Sequence, residues 1–313
     1  MNKIQSTRTS ARHYLMMASL LLTACLTCIA CGSDPVDLKQ QEEGLCKLSF
    51  VVRNYVQYKM PEVTRGSTQA EPLGHLLLAV YEAESGTLVK TIRKDWQDYT
   101  NAADDYGVFS LTIPRGHYRL LFVGHDNQRS CQPDEMNRIT WEGNYVPDAF
   151  VCSQDLTVER DAAAEGNITL HRAVGAFRVV IEDALPEGLS TIEVHASAGS
   201  FAYSAVSDGA ADNNGYTSVI SIPESYIGKE DYSVPVTTFL FLEGKNPTVD
   251  FVVTARNKNG IVMAQKTFSG VPMNVNYIAQ TFVHLFSEAH DAEASFRVSY
   301  NREWAGINTI TSD

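Results

Sequence analysis

The chain has 313 residues, of which 44% are hydrophobic and 20% charged, and 37 acidic residues against 25 basic ones give a formal net charge of −12. This length supports two domains of ordinary size, each with its own core. The acidic balance disfavours a nucleic-acid partner, because no basic face is available to release counterions from phosphates, and it favours solubility outside the cell.

The first 24 residues have the pattern of a secretion signal. Lys3, Arg8 and Arg12 precede an apolar run, YLMMASLLLTACLTCIAC, over residues 14–31. A membrane-spanning helix would need about 20 apolar residues and flanking anchors, whereas this run ends in small residues and cysteine and then turns polar. We therefore predict a cleaved signal peptide over residues 1–24. Its removal takes three basic residues from the chain, so the net charge becomes −15.

Residues 22–25, Leu-Thr-Ala-Cys, resemble the lipobox of bacterial lipoproteins, in which the cysteine is lipidated and becomes the mature N-terminus. The small side chains let a peptidase approach the backbone, and a cysteine thiolate can attack the lipid donor. The resemblance implies lipidation at Cys25, with Cys31 as the alternative; an ordinary cleaved signal with incidental cysteines is a further alternative. Several acyl chains such as palmitate would make a lasting anchor, because each buried CH₂ contributes only about 0.8 kcal/mol.

A tether and scattered cysteines follow the signal. Residues 25–45 include the polar, acidic stretch SDPVDLKQQEEG and predict a flexible tether. Cys46, Cys131 and Cys152 lie beyond it, and an exported chain can form disulfides, although spacing alone leaves the pairing open. The cysteines at 25, 28 and 31 predict no metal site, because they lie in an apolar signal without a fourth ligand.

The first half of the remaining chain has the period of β-strands. Leu48, Phe50 and Val52 alternate with more polar residues and predict a half-buried strand over 46–53. A long surface loop follows. Further strands are predicted at 75–82, 87–93, 107–113, 117–123, 150–158 and 166–173. The polar connections 95–106 and 126–147 carry Trp96 and Trp141, which we interpret as partly buried loop plugs.

The second half continues the same rhythm. GNITLHRA runs directly into GAFRVVIED with opposite patterning on either side of Gly175, which predicts a crossing between two sandwiches near Val174. Later strands are predicted at 190–196, 216–222, 236–242, 249–257, 261–268, 277–286 and 294–300. Only residues 159–165 resemble a helix, and their polar flanks favour a surface turn. The sequence therefore predicts an all-β chain with β-sandwich domains at 46–173 and 174–313.

The order of these segments resembles the fimbrillin superfamily of Bacteroidetes, the lipoprotein subunits of type V pili, which include stalk, tip and membrane-anchor members. The resemblance is carried by the lipobox, the acidic tether, CKLSFVV, the loop Val63-Thr64-Arg65-Gly66, LHRAVGAFRVVI and the terminal NYIAQTFVHLF and ASFRVSYNREWAGI. It covers most of the mature chain and depends on order and patterning. It implies two transthyretin-like β-sandwich domains in a structural subunit of a fimbrium, with a role in cell adhesion.

The resemblance also implies partners and an assembly mechanism. The partners would be other fimbrial subunits, in a homo- or hetero-polymer, the outer membrane through the N-terminal lipid, and host or bacterial surface glycans or proteins. In stalk members an arginine-specific protease cuts the loop after the first strand, and the matching position here is Arg65, before Gly66. A donor strand would lie near residues 294–310. Its apolar residues are Phe296, Val298, Tyr300 and Trp304.

Three alternatives stay open at this point. In the first, the tail is not a donor but the last strand of the second domain, paired within its own sheet. In the second, the chain is a lipid-retained anchor or a tip subunit. In the third, it is a surface glycan-binding lipoprotein, for which coplanar aromatic side chains on one open face would be needed. The aromatic residues in or beside loops are Trp96, Tyr99, Tyr106, Trp141, Tyr145, Tyr203 and Tyr216.

An enzyme is not predicted. The histidines are dispersed, none forms an i, i+4 pair around a glutamate, and no strand-turn-helix nucleophile elbow occurs. The loop carboxylates lack the positions of a dedicated calcium loop. We therefore expect no catalytic residues, no metal and no cofactor.

Overall fold

The computed structural model describes residues 45–58, 70–99, 101, 103–126, 128–159, 164–229, 233–244, 247–287 and 306–309. These residues are predominantly strands, which confirms the predicted all-β class. Their helices are single turns, at Trp96–Tyr99, Ala103–Tyr106, Glu142–Asn144 and Glu224–Tyr226. In this part of the chain, none of the helices has the length and apolar character needed to cross a membrane.

Twelve strands occupy the first half of the described chain. They are β1 (Leu45–Val52), β2 (Val56–Tyr58), β3 (Ala70–Pro72), β4 (His75–Glu82), β5 (Leu88–Asp95), β6 (Val108–Pro114), β7 (Gly116–His125), β8 (Cys131–Glu135), β9 (Arg138–Trp141), β10 (Phe150–Val158), β11 (Ala164–Ile168) and β12 (His171–Arg172). A three-stranded sheet of order β11-β1-β6 faces a five-stranded sheet of order β12-β10-β7-β4-β5. Alternate apolar residues of both sheets form the first core, which includes Phe50, Phe109 and Phe122.

Ten strands make up the second half. They are β13 (Val174–Ile181), β14 (Leu189–Ala196), β15 (Tyr203–Ser204), β16 (Gly209–Ala210), β17 (Tyr216–Ser221), β18 (Val234–Phe241), β19 (Thr248–Asn257), β20 (Val262–Pro272), β21 (Tyr277–Val283) and β22 (Gly306–Thr309). Two sheets, β18-β13-β21-β22 and β17-β14-β19-β20, enclose the second core. At its centre Phe177 stacks on Phe251 with ring centroids 3.9 Å apart.

A small third sheet, β16-β15-β9-β8, covers the other face of the five-stranded sheet. Trp141 is fully buried there and stacks on Phe241 at 5.6 Å, so a third core includes residues from both halves of the chain. The interpretation of residues 126–147 as an irregular connection is therefore wrong in its centre, where β8 and β9 form a hairpin. Trp141 is more deeply buried than a partial loop plug, whereas Trp96 is half-buried on a single helical turn.

One residue, Ala173, separates β12 from β13, and these two strands belong to different sheets. The chain thus passes from one sheet to another at this point. Gly175 is needed just after it, because a Cβ at this position would lie 2.7 Å from the carbonyl oxygen of Asn274. The domain limits 46–173 and 174–313 stay a prediction, since the third core joins strands from both ranges.

The cysteines of the described chain form no disulfide. Cys46, Cys131 and Cys152 are all free thiols, so the pairings considered among them are not made. Cys46 lies in the first core and Cys131 in the third, and burial raises the pKa of the Cys131 thiol to about 12. These thiols act as small apolar side chains of separate cores.

Candidate functional site

The first strand, β1, lies between two neighbours and is not an edge strand. It pairs in parallel with β11, from Leu48 opposite Ala164 to Val52 opposite Ile168. On its other side it pairs antiparallel with β6, from Leu45 opposite Pro114 to Val51 opposite Val108. Removing β1 would therefore expose the unpaired backbone of two strands at once. We call the groove between β6 and β11, which β1 fills, the β1 slot.

Alternate side chains of β1 fill the first core. Cys46, Leu48, Phe50 and Val52 are each at most 5% exposed, whereas Leu45 is 50% exposed. Phe50 packs edge-on against Phe122, with ring centroids 5.6 Å apart. The predicted alternation over this strand is confirmed, and its consequence is a row of four pockets that follow the period of an extended chain.

The end of β1 is held by a set of hydrogen bonds that the sequence did not reveal. The backbone N–H of Val52 donates to the carbonyl of Gly107 (2.9 Å). The side chain of Asn54 donates to the carbonyl of Leu170 (2.7 Å) and accepts from the N–H of the same residue (2.8 Å). Gly107 is required by close approach, because a Cβ there would lie 2.4 Å from the carbonyl oxygen of Val52. Asn54 thus ties the segment after β1 to the end of β11.

The free energy that holds β1 in the slot is substantial. Burying an apolar side chain contributes about 1.5–3 kcal/mol, and the strand buries four, one of them the small Cys46. Both edges of β1 add hydrogen bonds to its neighbours. The thiol of Cys46 also donates to the carbonyl of Glu159 at 3.1 Å. A break in the chain after β1 would therefore not by itself free the strand.

The individual residues named from the sequence for lipidation, processing or strand donation lie outside the described residues. These residues are Cys25, Cys31, Arg65, Gly66, Phe296, Val298, Tyr300 and Trp304. Along the chain, Arg65 and Gly66 belong to the connection between β2 and β3, which pair antiparallel with Tyr58 opposite Ala70. A cut after Arg65 would separate β1 and β2 from all later strands.

Part of the predicted donor segment 294–310 is described. Residues 306–309 form β22, which pairs in parallel with β21 from Tyr277 opposite Gly306 to Gln280 opposite Thr309. For these four residues the arrangement is the one expected of a last strand within its own sheet. The four apolar residues named as donors precede this strand in the chain.

The loop aromatics considered for glycan binding do not form one open face. Tyr106, Trp141 and Tyr203 are at most 1% exposed. The hydroxyl of Tyr106 donates to the carbonyl of Leu73 (2.6 Å), and that of Tyr203 donates to Asp208 (2.5 Å). Burial raises the pKa of both phenols well above the usual value. Tyr216 donates its hydroxyl to the carbonyl of Phe239. The hydroxyls of the three tyrosines are thus satisfied within the protein, whereas the buried indole N–H of Trp141 has no hydrogen-bond partner among the described residues.

The described residues contain no group of three His, Cys, Asp or Glu side chains that could hold a metal ion.

Comparison with known proteins gives one family. Residues 52–313 match the model of DUF6562, described as a family of unknown function. No curated protein matches the chain significantly.

Several solved structures are similar to the chain. A candidate adhesin from Bacteroides ovatus is 11% identical, with a TM-score of 0.45 over 76% of this chain and 87% of that one. A candidate polysaccharide-binding protein from Bacteroides thetaiotaomicron is 9% identical, with a TM-score of 0.42 over 77% and 92%. The fimbrial anchor protein Mfa2 from Porphyromonas gingivalis is 12% identical, with a TM-score of 0.37 over 72% and 83%. These TM-scores lie below 0.5, and the function proposed below therefore rests on the chain's own residues.

Proposed function

The chain belongs to DUF6562, a family of unknown function, and from the β1 slot we propose that it is a structural fimbrial subunit that assembles by donor-strand exchange at the outer cell surface. The observation that carries the proposal is the position of β1: it is the first described strand, it is paired on both sides, and it fills four pockets. Export as a lipoprotein through Cys25, or alternatively Cys31, completes the proposal and brings the chain to the outer membrane.

The proposed exchange begins with a cut after Arg65. The cut leaves β1 attached to the lipid-bearing fragment, and loss of that fragment opens the slot between β6 and β11. An extended segment with apolar side chains at alternate positions can restore both sets of backbone hydrogen bonds and refill the pockets. Phe296, Val298 and Tyr300 have this spacing, and Trp304 offers a further large apolar group. A second copy of the chain would supply them.

Displacement of β1 would have to be stepwise. Since four buried side chains and the Asn54 hydrogen bonds hold the strand, spontaneous loss of the whole strand would be slow. A donor that enters at one end can replace one pocket contact at a time, so that no intermediate loses the full burial free energy. We therefore expect exchange to require the donor and not just the protease.

A lipid-retained anchor or tip subunit is the second candidate, and the same contacts favour it. If the Arg65 connection stays intact, β1 stays in its slot, and the subunit remains tied to the membrane through its N-terminus. The glycan-binding alternative is less well supported, because three of its seven aromatic candidates are buried in cores.

Arg-specific proteolysis of the full chain, purified in detergent, tests the assembly proposal. The cut protein is incubated at high concentration and analysed by native gel electrophoresis and light scattering. We expect a ladder of multimers for the parent chain and monomers for Arg65→Ala, with Arg115→Ala as the matched control because Arg115 is an exposed arginine in another turn. Deleting residues 294–313 should abolish the ladder. If the cut parent stays monomeric and the deletion changes nothing, the stalk role is wrong and the anchor role gains.

Lipidation has its own test. Cells expressing the chain are fed a palmitate analogue, and label on the protein is detected after click chemistry. Cys25→Ala should lose the label if Cys25 is the lipidated residue, and Cys31→Ala should lose it if Cys31 is. A Cys25→Ala, Cys31→Ala double variant that still takes up label would contradict both assignments. Mass spectrometry of protein from the native cell surface would show whether the mature chain starts at Gly66.

A further inference from the structure

A cavity of about 590 Å³ lies beside the crossing from β12 to β13. One wall comes from β10 and β12, through residues 151–153 and 171–173. The opposite wall comes from the turn between β15 and β16, the residues that follow β18, and Val275. Its volume is in the range of sites that hold a small ligand or a large side chain. It lies apart from the β1 slot, and none of the residues of the slot line it.

Two carboxylates lie at the mouth of this cavity. Asp208 and Glu243 are both exposed. The segments that carry them are in contact, because the N–H of Ala210 donates to the carbonyl of Leu242 at 3.3 Å. Among the described residues neither carboxylate forms a salt bridge.

The one guanidinium that lines the cavity is already neutralised. Arg172 donates to both carboxylate oxygens of Asp148, at 2.7 and 3.2 Å, and to the side-chain oxygen of Asn276 at 2.9 Å. Its side chain is only 3% exposed and lies over the ring of Phe150. The cavity therefore presents an excess of negative charge. The pKa of the Cys152 thiol on its wall is raised by burial and by the charge of Asp208.

The rest of the lining mixes polar residues, such as Ser153, His171 and Ser207, with apolar ones. Leu242 and Val275 line the cavity on the side of the second sandwich, and Val275 is 40% exposed. A cavity that offers two carboxylates together with some apolar side chains matches a side chain that has a methylene stem and a cationic end, which is the build of lysine and arginine. A metal ion fits less well, because no group of three His, Cys, Asp or Glu side chains converges here or elsewhere in the described chain.

We propose that this cavity binds a lysine or arginine side chain presented by a partner polypeptide. The stem would lie against Leu242 and Val275, and the ammonium or guanidinium would lie between Asp208 and Glu243. This inference is independent of donor-strand exchange, since the cavity and the β1 slot share no residues.

Cys152 can report the electrostatic potential in the cavity, because its thiol is partly exposed on the cavity wall, whereas Cys46 and Cys131 are buried. The full chain is treated with cationic 2-(trimethylammonium)ethyl methanethiosulfonate or anionic 2-sulfonatoethyl methanethiosulfonate, and peptide mass spectrometry follows modification of Cys152. After each rate is divided by the rate with free cysteine, we expect the cationic reagent to modify Cys152 about tenfold or more faster than the anionic one. In the Asp208→Asn, Glu243→Gln double variant, the ratio of the two modification rates, cationic over anionic and relative to free cysteine, should fall to near one. The matched control, Glu187→Gln with Glu224→Gln, removes two exposed carboxylates that do not line the cavity and should keep the ratio.

Protection of Cys152 then tests the ligand itself. We expect Nα-acetyl-arginine methylamide or its lysine counterpart to slow the modification of Cys152 at concentrations about tenfold lower than those needed for the uncharged citrulline counterpart. A tenfold difference in affinity corresponds to about 1.4 kcal/mol, which the loss of the charge would remove. Equal protection by citrulline would overturn the proposal, as would unchanged protection in the Asp208→Asn, Glu243→Gln variant. Protection by 1,4-diaminobutane without protection by either amino-acid amide would overturn the polypeptide as the source.

Discussion

The first strand of each half occupies the same kind of position, and the difference between the two is informative. β1 lies between parallel β11 and antiparallel β6, and β13 lies between parallel β21 and antiparallel β18. Every residue of β13 is buried, whereas β1 buries alternate residues and leaves the others partly exposed. Two strands with equivalent pairing thus differ in how much of their surface the protein covers.

Under the proposed exchange, this difference determines which strand would be replaced. β13 follows β12 after one residue, and its two faces contribute to more than one core. β1 contributes to the first core only and is followed by the long connection that holds Arg65. An exchangeable strand needs one buried face, which gives affinity and register, and a connection that can be cut. β1 has the one buried face and, if the proposed cut after Arg65 is made, the severed connection, whereas β13 is buried on both faces.

The largest expected effect is on the free energy of unfolding, for a substitution in β13, the strand that the proposed exchange leaves in place. Phe177→Ala in β13 should lower the free energy of unfolding by about 3–5 kcal/mol, because it removes a fully buried ring stacked on Phe251. Urea unfolding followed by circular dichroism measures it. Val219→Ala, at a 59% exposed position, is the control and should change the value by less than about 0.5 kcal/mol. A loss below about 1 kcal/mol for Phe177→Ala would contradict the picture of a β13 that depends on both faces.

Phe50→Ala is the corresponding substitution in β1. The uncut chain should lose about 3 kcal/mol or somewhat more, since Phe50 is buried against Phe122. After a cut following Arg65, the variant should also release the β1 fragment faster, which size-exclusion chromatography over time would show. Ser49→Ala, on the other face of the same strand, should leave release nearly unchanged. If Phe177→Ala accelerates release as much as Phe50→Ala does, the two strands are not distinct in this respect.

Asn54→Ala has a smaller expected effect and isolates the tie at the end of β1. It removes two hydrogen bonds to the backbone of Leu170, at a cost of about 1–3 kcal/mol. We expect faster release of the cut fragment with little change in the first core. Asn167→Ala is the matched control, because its side chain accepts only the exposed bond from Arg53. Equal release rates for the two variants would show that Asn54 does not hold the strand.

The smallest effect lies away from both first strands, in the contact between β9 and Asp212. Burial raises the pKa of Asp212, but hydrogen bonds from Arg138, the N–H of Asn214 and Ser200 outweigh it, and the net shift is downward. A lowered pKa adds stability above the unfolded value of about 3.9, and this stability is lost as the pH falls through the folded value. Asp212→Asn should therefore cost at most about 1 kcal/mol at pH 7 and nearly nothing at pH 2. Urea unfolding at both pH values checks this, and a penalty that grows in acid would contradict it.

The strands with clear alternation could be predicted from the sequence. Leu48, Phe50 and Val52 mark β1 correctly, and so do the alternating residues of β6 and β7. The hairpin β8–β9 could not, because Pro133 and the polar residues around it have the composition of a loop. Its burial is determined by distant residues, such as Tyr203, which pairs with Ile139 across 64 positions. The predicted strand at 166–173 is in fact split between β11 and β12, which belong to different sheets.

The candidate site could be predicted only in part. Alternation located the strand, but it could not show that β1 has a partner on each side, since that depends on β11, more than 100 residues later. Asn54 carried no local signal, because an isolated asparagine after a strand usually indicates a turn. The cavity with Asp208 and Glu243 is formed by segments far apart in the chain, so no local pattern in the sequence brings the two carboxylates to one cavity.

The short crossing at Ala173 has a mechanical consequence. The N–H of Ala173 donates to the carbonyl of Ala149 (2.9 Å), and Arg172 is bonded to residues on both sides of the crossing. A pulling force along the chain would pass from the first sandwich to the second through paired strands and a buried guanidinium, with no slack segment to stretch first. Such a subunit would behave under load as one stiff link, and bending of a filament built from it would be concentrated at the joints between successive copies.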